Sequence, residues 1–189
     1  MSDLSLFVHR GLDGWLFLTG GTNFVTTLYD PVTGHLPDRA LARWRDAIMA
    51  RKQRCDALGA RYAHLVVPEK LTIYGHKQAE PLVDPDLSPA LRLMPLFPGG
   101  AARHGYVDVI GEMRAHRDAA DLYWRTDTHW SPLGCLLGYE RLCAATGLEP
   151  NAELVDRPFV DDKRLLDLGS KLTPPVYETI REVTWRQDA

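Results

Sequence analysis

An acid and an imidazole, Asp127 and His129, stand two residues apart in an aromatic setting that runs from Leu122 through Trp124 to Trp130. In an extended or loop-edge backbone, residues i and i+2 point to one side. Asp127 can then accept a hydrogen bond from one ring nitrogen of His129, fixing its tautomer and leaving the other nitrogen as a base. That is two thirds of a hydrolase-type triad. The remaining part, a nucleophile whose proton the imidazole takes, has few candidates. The serines are Ser2, Ser5, Ser88, Ser131 and Ser170. Ser88 and Ser131 each precede a proline at a helix start, which is a capping position. Ser170 is a weak nucleophile candidate, because the charged stretch Asp161 to Arg164 leads into it where a nucleophile elbow wants an apolar strand.

Other residues fall near this pair in the expected architecture. Lys70 and Tyr74 follow a short apolar run, Ala63 to Val67, that reads as a buried parallel strand. Ligands gather at the C-terminal edges of such strands, so Lys70 and Tyr74 are candidate substrate-binding residues, with a solvated rim position as the plainer alternative. Arg125 and Trp130 flank the Asp–His block and would suit a sugar groove, with aromatic packing as the plainer alternative. A metal held by Asp127 and His129 with His76 or His104 has no supporting ligand spacing. No metal or other cofactor is expected.

The elements that must position these residues alternate between strand and helix. Gly11 to Leu18 reads as a turn and a strand, with both faces covered. A long helix opens at Pro37 and Asp38, places Leu41, Trp44, Ile48, Cys55 and Leu58 on its apolar side, and stops at Gly59. Leu71 to Tyr74 begins a short helix. Tyr106 to Ile110 is either a second buried strand or a strand turning into a helix through His116. Leu122 to Trp124 is the next strand. Pro132 to Thr146 is a helix with Leu133, Leu136 and Leu137 inward, and Tyr177 to Trp185 alternates as a strand does. The expectation is an α/β fold with a mainly parallel sheet covered on both faces, in a single domain spanning residues 1–189.

Composition narrows the classes. With 45% hydrophobic and 25% charged residues and a net charge of −3, the 189-residue chain has the balance of a water-soluble domain and no basic bias toward nucleic acid. Three cysteines without C-x-x-C spacing argue against a disulfide framework, and Cys135 and Cys143 read as small core residues. No stretch approaches a membrane span. The first ten residues lack a signal peptide's apolar region, so the chain as written is expected to be cytoplasmic.

Four blocks occur together in this order: Gly11 with Gly14-Trp15-Leu16-Phe17; Val66 to Lys70 with Tyr74; Thr126 to Ser131 with Gly134; and Asp167 to Leu172. In them the chain resembles the AlgX/AlgJ-type SGNH-hydrolase-like domain of alginate and related exopolysaccharide O-acetyltransferases, over residues 11 to about 178. The resemblance implies a permuted, three-layer SGNH α/β fold, with Asp127 as triad acid and His129 as general base. It implies a nucleophilic serine in a later Gly-Asp-Ser-like block with no counterpart in this sequence, so the sheet is expected to be incomplete at its C-terminal edge. It further implies a polysaccharide and an acetyl donor as partners, a membrane acyltransferase among them, and a periplasmic location. The alternative is a carbohydrate-binding or scaffold relative without the chemistry.

Overall fold

A computed structural model describes residues 4–155 and 159–183 of the chain. In chain order the strands and helices are β1 (Val8–Arg10), β2 (Leu16–Leu18), α1 (Asp38–Ala57), β3 (His64–Leu65), α2 (Lys70–Tyr74), α3 (Pro89–Leu93), β4 (Tyr106–Val107), α4 (Ile110–His116), α5 (Pro132–Thr146), α6 (Ala152–Val155), β5 (Phe159–Leu165), α7 (Asp167–Ser170) and β6 (Tyr177–Val183). Short 3-10 turns fill several connections. Among the described residues no helix is long and apolar enough to cross a membrane.

The described strands form three separate pairs. β1 and β2 are antiparallel with Val8 opposite Leu18, and β5 and β6 are antiparallel with Leu165 opposite Tyr177. β3 and β4 are the parallel pair, with His64 opposite Tyr106 and Leu65 opposite Val107. The expected mainly parallel sheet is therefore not what these residues build. The apolar run Ala63 to Val67 pairs over two residues only: Val67 is 60% exposed and Pro68 cannot extend the ladder. The expected strand at Leu122 to Trp124 is reduced to a single bridge between Tyr123 and Trp130. Tyr106 to Ile110 follows the second of its two expectations: Asp108 accepts a hydrogen bond from the Ile110 amide (2.9 Å) and α4 begins there.

The helix boundaries follow local chemistry. Gly59 (φ +67°) and Gly147 (φ +63°) take the left-handed conformation just beyond α1 and α5, where other residues would be strained. In α1, Leu41 and Ile48 are fully buried, while Leu58, expected inward, is 82% exposed because it already lies past the last helical turn. α5 starts with the Ser131 hydroxyl accepting from the Gly134 amide and Pro132 in the first turn, as a serine cap does. Its inward side differs from expectation. Gly134, Gly138 and Cys143 are buried, whereas Leu133 and Cys135 are exposed. The glycines at i and i+4 lie on one face and bring the helix close to the preceding loop. A Cβ on Gly134 would stand 2.2 Å from the Leu122 carbonyl, and one on Gly138 would stand 2.7 Å from the Trp130 ring.

The main core gathers Trp15 and Phe17 from around β2, Leu71, Ile73 and Tyr74 from α2, Val107 and Val109 near β4, Ile110 and Met113 from α4, and Leu122 and Tyr123. Trp15 stacks on Tyr74 with centroids 3.9 Å apart, and Tyr123 meets Tyr74 edge-on at 6.0 Å. This aromatic layer meets the residues that flank the Asp127–His129 segment, Arg125 over Trp15 at 5.8 Å and Trp130 edge-on to Tyr123 at 6.2 Å. Tyr177 to Trp185 is strand as far as Val183, and Trp185 lies outside the described residues.

Candidate functional site

The segment from Leu122 to Ser131 folds back on itself. The Trp124 amide donates to the His129 carbonyl (3.2 Å) and the Ser131 amide to the Leu122 carbonyl (3.0 Å). At the tip, Asp127 Oδ1 lies 2.6 Å from His129 Nδ1 and accepts the His129 amide at 3.0 Å. The second carboxylate oxygen, Oδ2, accepts the Asp167 amide at 3.1 Å, from the first residue of α7. The Asp127 side chain is 11% exposed and that of His129 is 80% exposed. An acceptor-only carboxylate facing Nδ1 assigns the proton there and leaves Nε2 with a lone pair. Burial works to raise the Asp127 pKa. The Asp167 amide and the His129 ring and amide outweigh it and hold the carboxyl below its ordinary value. The result is an exposed imidazole oriented by a buried, ionised acid. That arrangement can take a proton from a hydroxyl and return it to a leaving group.

The backbone carrying this pair is held on both sides. Glu178, on β6, accepts from the Arg125 amide (2.9 Å), the Thr126 amide (2.8 Å) and the Thr126 hydroxyl (2.8 Å). The Thr126 carbonyl accepts the amides of Leu168 and Gly169, each at 3.0 Å. On the other side Lys70 places Nζ 2.7–2.9 Å from the carbonyl oxygens of Leu16, Trp124, Arg125 and Asp127. Nothing in the local sequence announces Glu178 or the Asp167 amide as members of the site. The alternation from Tyr177 onward identifies a strand, and a lone acid on a strand reads as a solvated face.

The expected groove residues fare differently. Lys70 is 1% exposed and Tyr74 is fully buried, so neither stands at a rim. Residues 68–70 do follow a strand, but α2 begins at Lys70 and all five of its residues are buried. The Tyr74 hydroxyl donates to the Ala120 carbonyl and accepts the Leu122 amide, and burial pushes its pKa up to about 12. Trp130 is half-buried against Tyr123 and Gly138, the aromatic-packing alternative. Arg125 is 44% exposed but tied to Asp121 (2.9 Å), and it lies over the Trp15 ring at 5.8 Å. Ser131 caps α5 and Ser88 caps α3. Ser170 is exposed and donates to the Asp167 carbonyl of its own helical turn (2.8 Å), and no hydrogen bond joins it to His129.

Among the described residues no three His, Cys, Asp or Glu side chains converge as a metal would require. His76 pairs instead with Asp118, and His104 with the Pro98 carbonyl. A cleft of about 300 Å³ opens beside the loop, lined in part by Asp121, Trp124, Ser131, Glu178 and Arg181.

Comparison with known proteins bears on this geometry. No curated protein sequence matches the chain. Among solved structures it is similar to the O-acetyltransferase domain of Pseudomonas putida AlgJ, at 19% identity and a TM-score of 0.58, over 94% of this chain and 64% of that one. The likeness is one of fold, which is SGNH-hydrolase-like, and the chain spans less than two thirds of that relative's length. A family model described as "SGNH hydrolase-like domain, acetyltransferase AlgX" matches residues 8–163, a span that contains both Asp127 and His129. The chain belongs to that family.

Proposed function

We propose that this chain supplies the acid–base pair for O-acetyl transfer to hydroxyl groups of an exopolysaccharide of the alginate type. The observation that carries the reading is the 2.6 Å contact between a buried carboxylate and an exposed imidazole, Asp127 with His129. In this mechanism a serine oxygen attacks the acetyl carbonyl of the donor while His129 Nε2 takes the serine proton. Asp127 stabilises the imidazolium, and the tetrahedral intermediate collapses as the imidazolium protonates the leaving group. A sugar hydroxyl then attacks the acetyl-serine, giving its proton to the same nitrogen, and the acyl–serine bond breaks as that proton passes to the departing serine oxygen. Ser88, Ser131 and Ser170 are each engaged elsewhere and do not take the nucleophile's place. Arg125, partly exposed beside the pair, is the residue we propose to meet the sugar, in a periplasmic setting with a membrane acyltransferase as donor.

The test is turnover of p-nitrophenyl acetate. The 189-residue chain is expected to show a background rate that His129→Ala leaves unchanged. A product of this reading frame that also carries a Gly-Asp-Ser-like block is expected to lose about 10³-fold or more on His129→Ala or Asp127→Asn. A full product whose rate ignores both substitutions overturns the reading. A second reading, a polysaccharide-binding scaffold without chemistry, is favoured by the lack of any described hydroxyl bonded to Nε2. It predicts binding of acetylated and deacetylated polymer that is insensitive to His129→Ala.

A further inference from the structure

Lys70 is a buried cation without a direct counter-ion. Among the described residues no carboxylate lies within ion-pair distance of it, and its four contacts are all backbone carbonyls. Three of them, from Trp124, Arg125 and Asp127, belong to the turn just before His129, and the fourth, from Leu16, belongs to β2. The rings of Trp15 and Phe17 flank Nζ at 4.9 and 5.4 Å, and the residue is 1% exposed. The peptide groups of this turn are thus sorted by direction. The carbonyls of residues 124, 125 and 127 converge on Lys70, that of Thr126 turns to the Leu168 and Gly169 amides, and the amides of Arg125 and Thr126 point to Glu178.

We propose that Lys70 is a positioning residue for the Asp127–His129 pair, gathering the carbonyls of residues 124, 125 and 127 so that the turn aims the Asp127 carboxylate at His129 Nδ1. The inference rests on the reading of that pair as the functional site. An apolar side chain of equal length would fill the space but leave the Leu16, Trp124 and Asp127 carbonyls without this donor, the Arg125 carbonyl keeping the Leu16 amide (2.9 Å), and the turn would re-open to satisfy them. The arrangement also depends on the proton. An ammonium has three donors to share among four oxygens, whereas a neutral amine has two and turns a lone pair toward the others. Burial pulls the Lys70 pKa down to about 7, against the opposing pull of Glu69, Glu178, Asp127 and Asp121. The Arg125 guanidinium lies over the same Trp15 ring, at 5.8 Å from its centroid. The clamp is complete below that pH and weakens above it.

The experiment is NMR on the labelled full chain from about pH 5 to about pH 9, spanning the lowered Lys70 pKa and following the Lys70 side chain together with the His129 Nδ1 proton. The latter is assigned by its loss in His129→Ala. The expected result is that the Nδ1 proton begins fast exchange in the same pH step in which Lys70 loses its charge. In Lys70→Met, with near-ultraviolet circular dichroism retained, that proton exchanges at least about tenfold faster at pH 6. A general loss of stability would raise exchange across the core without the pH step. Two results overturn the proposal: separate titration of the two groups in the wild type, or a folded Lys70→Met that keeps wild-type exchange. Should Lys70→Met not fold, the wild-type titration decides. No acetyl donor enters either readout, so coupling seen here beside a full product whose acetyl-ester rate ignores His129→Ala would spare this inference while sinking the catalytic reading.

Discussion

Among the described residues two acid–imidazole pairs occur, and they are built in opposite ways. At Asp127–His129 the acid is buried and the ring exposed, at 11% and 80% side-chain exposure. At Asp118–His76 the acid is 74% exposed and the ring 30%, with a 3.2 Å contact. Asp127 accepts two backbone amides besides the ring nitrogen, so its position is set before the imidazole is considered. Asp118 is free to follow its partner into solvent, and His76 is placed by stacking on Tyr74 at 5.9 Å. A pair can direct a proton only if the acid is the fixed member and the base is reachable. The first pair meets that condition, and the second is a solvent-facing contact, charged only when His76 is protonated, of the kind that contributes little.

Removing the two acids separates the pairs most sharply. Asp127→Ala leaves the Asp167 and His129 amides without their acceptor and is expected to cost about 3 kcal/mol in urea unfolding. Asp118→Ala should stay within roughly 0.5 kcal/mol of wild type. Equal costs would mean that the contrast drawn here is wrong.

Next in size are two glycine substitutions beside the pairs. A Cβ on Gly169 would stand 2.1 Å from the Val176 carbonyl, pressing α7 against Thr126, and Gly169→Ala is expected to destabilise by about 1–3 kcal/mol. Gly111→Ala, in α4 and leading toward Asp118, meets nothing closer than Asp108 Oδ2 at 4.0 Å. It should be neutral or stabilising by up to about 1 kcal/mol, since alanine is the better helix former. Thermal unfolding of both variants checks the pair.

The pH dependence sharpens the comparison further. The Asp127 carboxyl titrates lower in the folded chain than in the unfolded one, so its stabilisation is whole above about pH 4 and drains as pH falls through the folded value. The stability gap between wild type and Asp127→Ala should narrow below about pH 4. His76 runs differently and more weakly. Burial, helped by Arg117, lowers its pKa against the pull of Asp118, so protonation favours the unfolded chain. Wild type should lose a small increment as pH falls below about 6.5 that His76→Gln retains. A His76→Gln curve parallel to wild type across that window would contradict the assignment.

What could be read directly from the chain was whatever neighbours in sequence decide. The two-residue spacing of Asp127 and His129, the serine caps at Ser88 and Ser131 and the glycine stop at Gly59 depend on contacts a few bonds away, and each stands where its local chemistry puts it. The order of the four motif blocks was enough to name the family. The sheet was misjudged because an apolar run such as Ala63 to Val67 signals burial but not pairing, and its partner strand proved two residues long. Lys70 was misjudged for a related reason: a lysine after a strand reads as exposed until the chain has closed over it. Its carbonyl partners lie as far as 57 residues away, Glu178 is 52 from Thr126, and the Asp167 amide is 40 from Asp127. Sequence alone determined which acid could meet which imidazole. Only tertiary structure decided which of the two would be buried and fixed, because burial belongs to the packed whole and not to any residue's near neighbours.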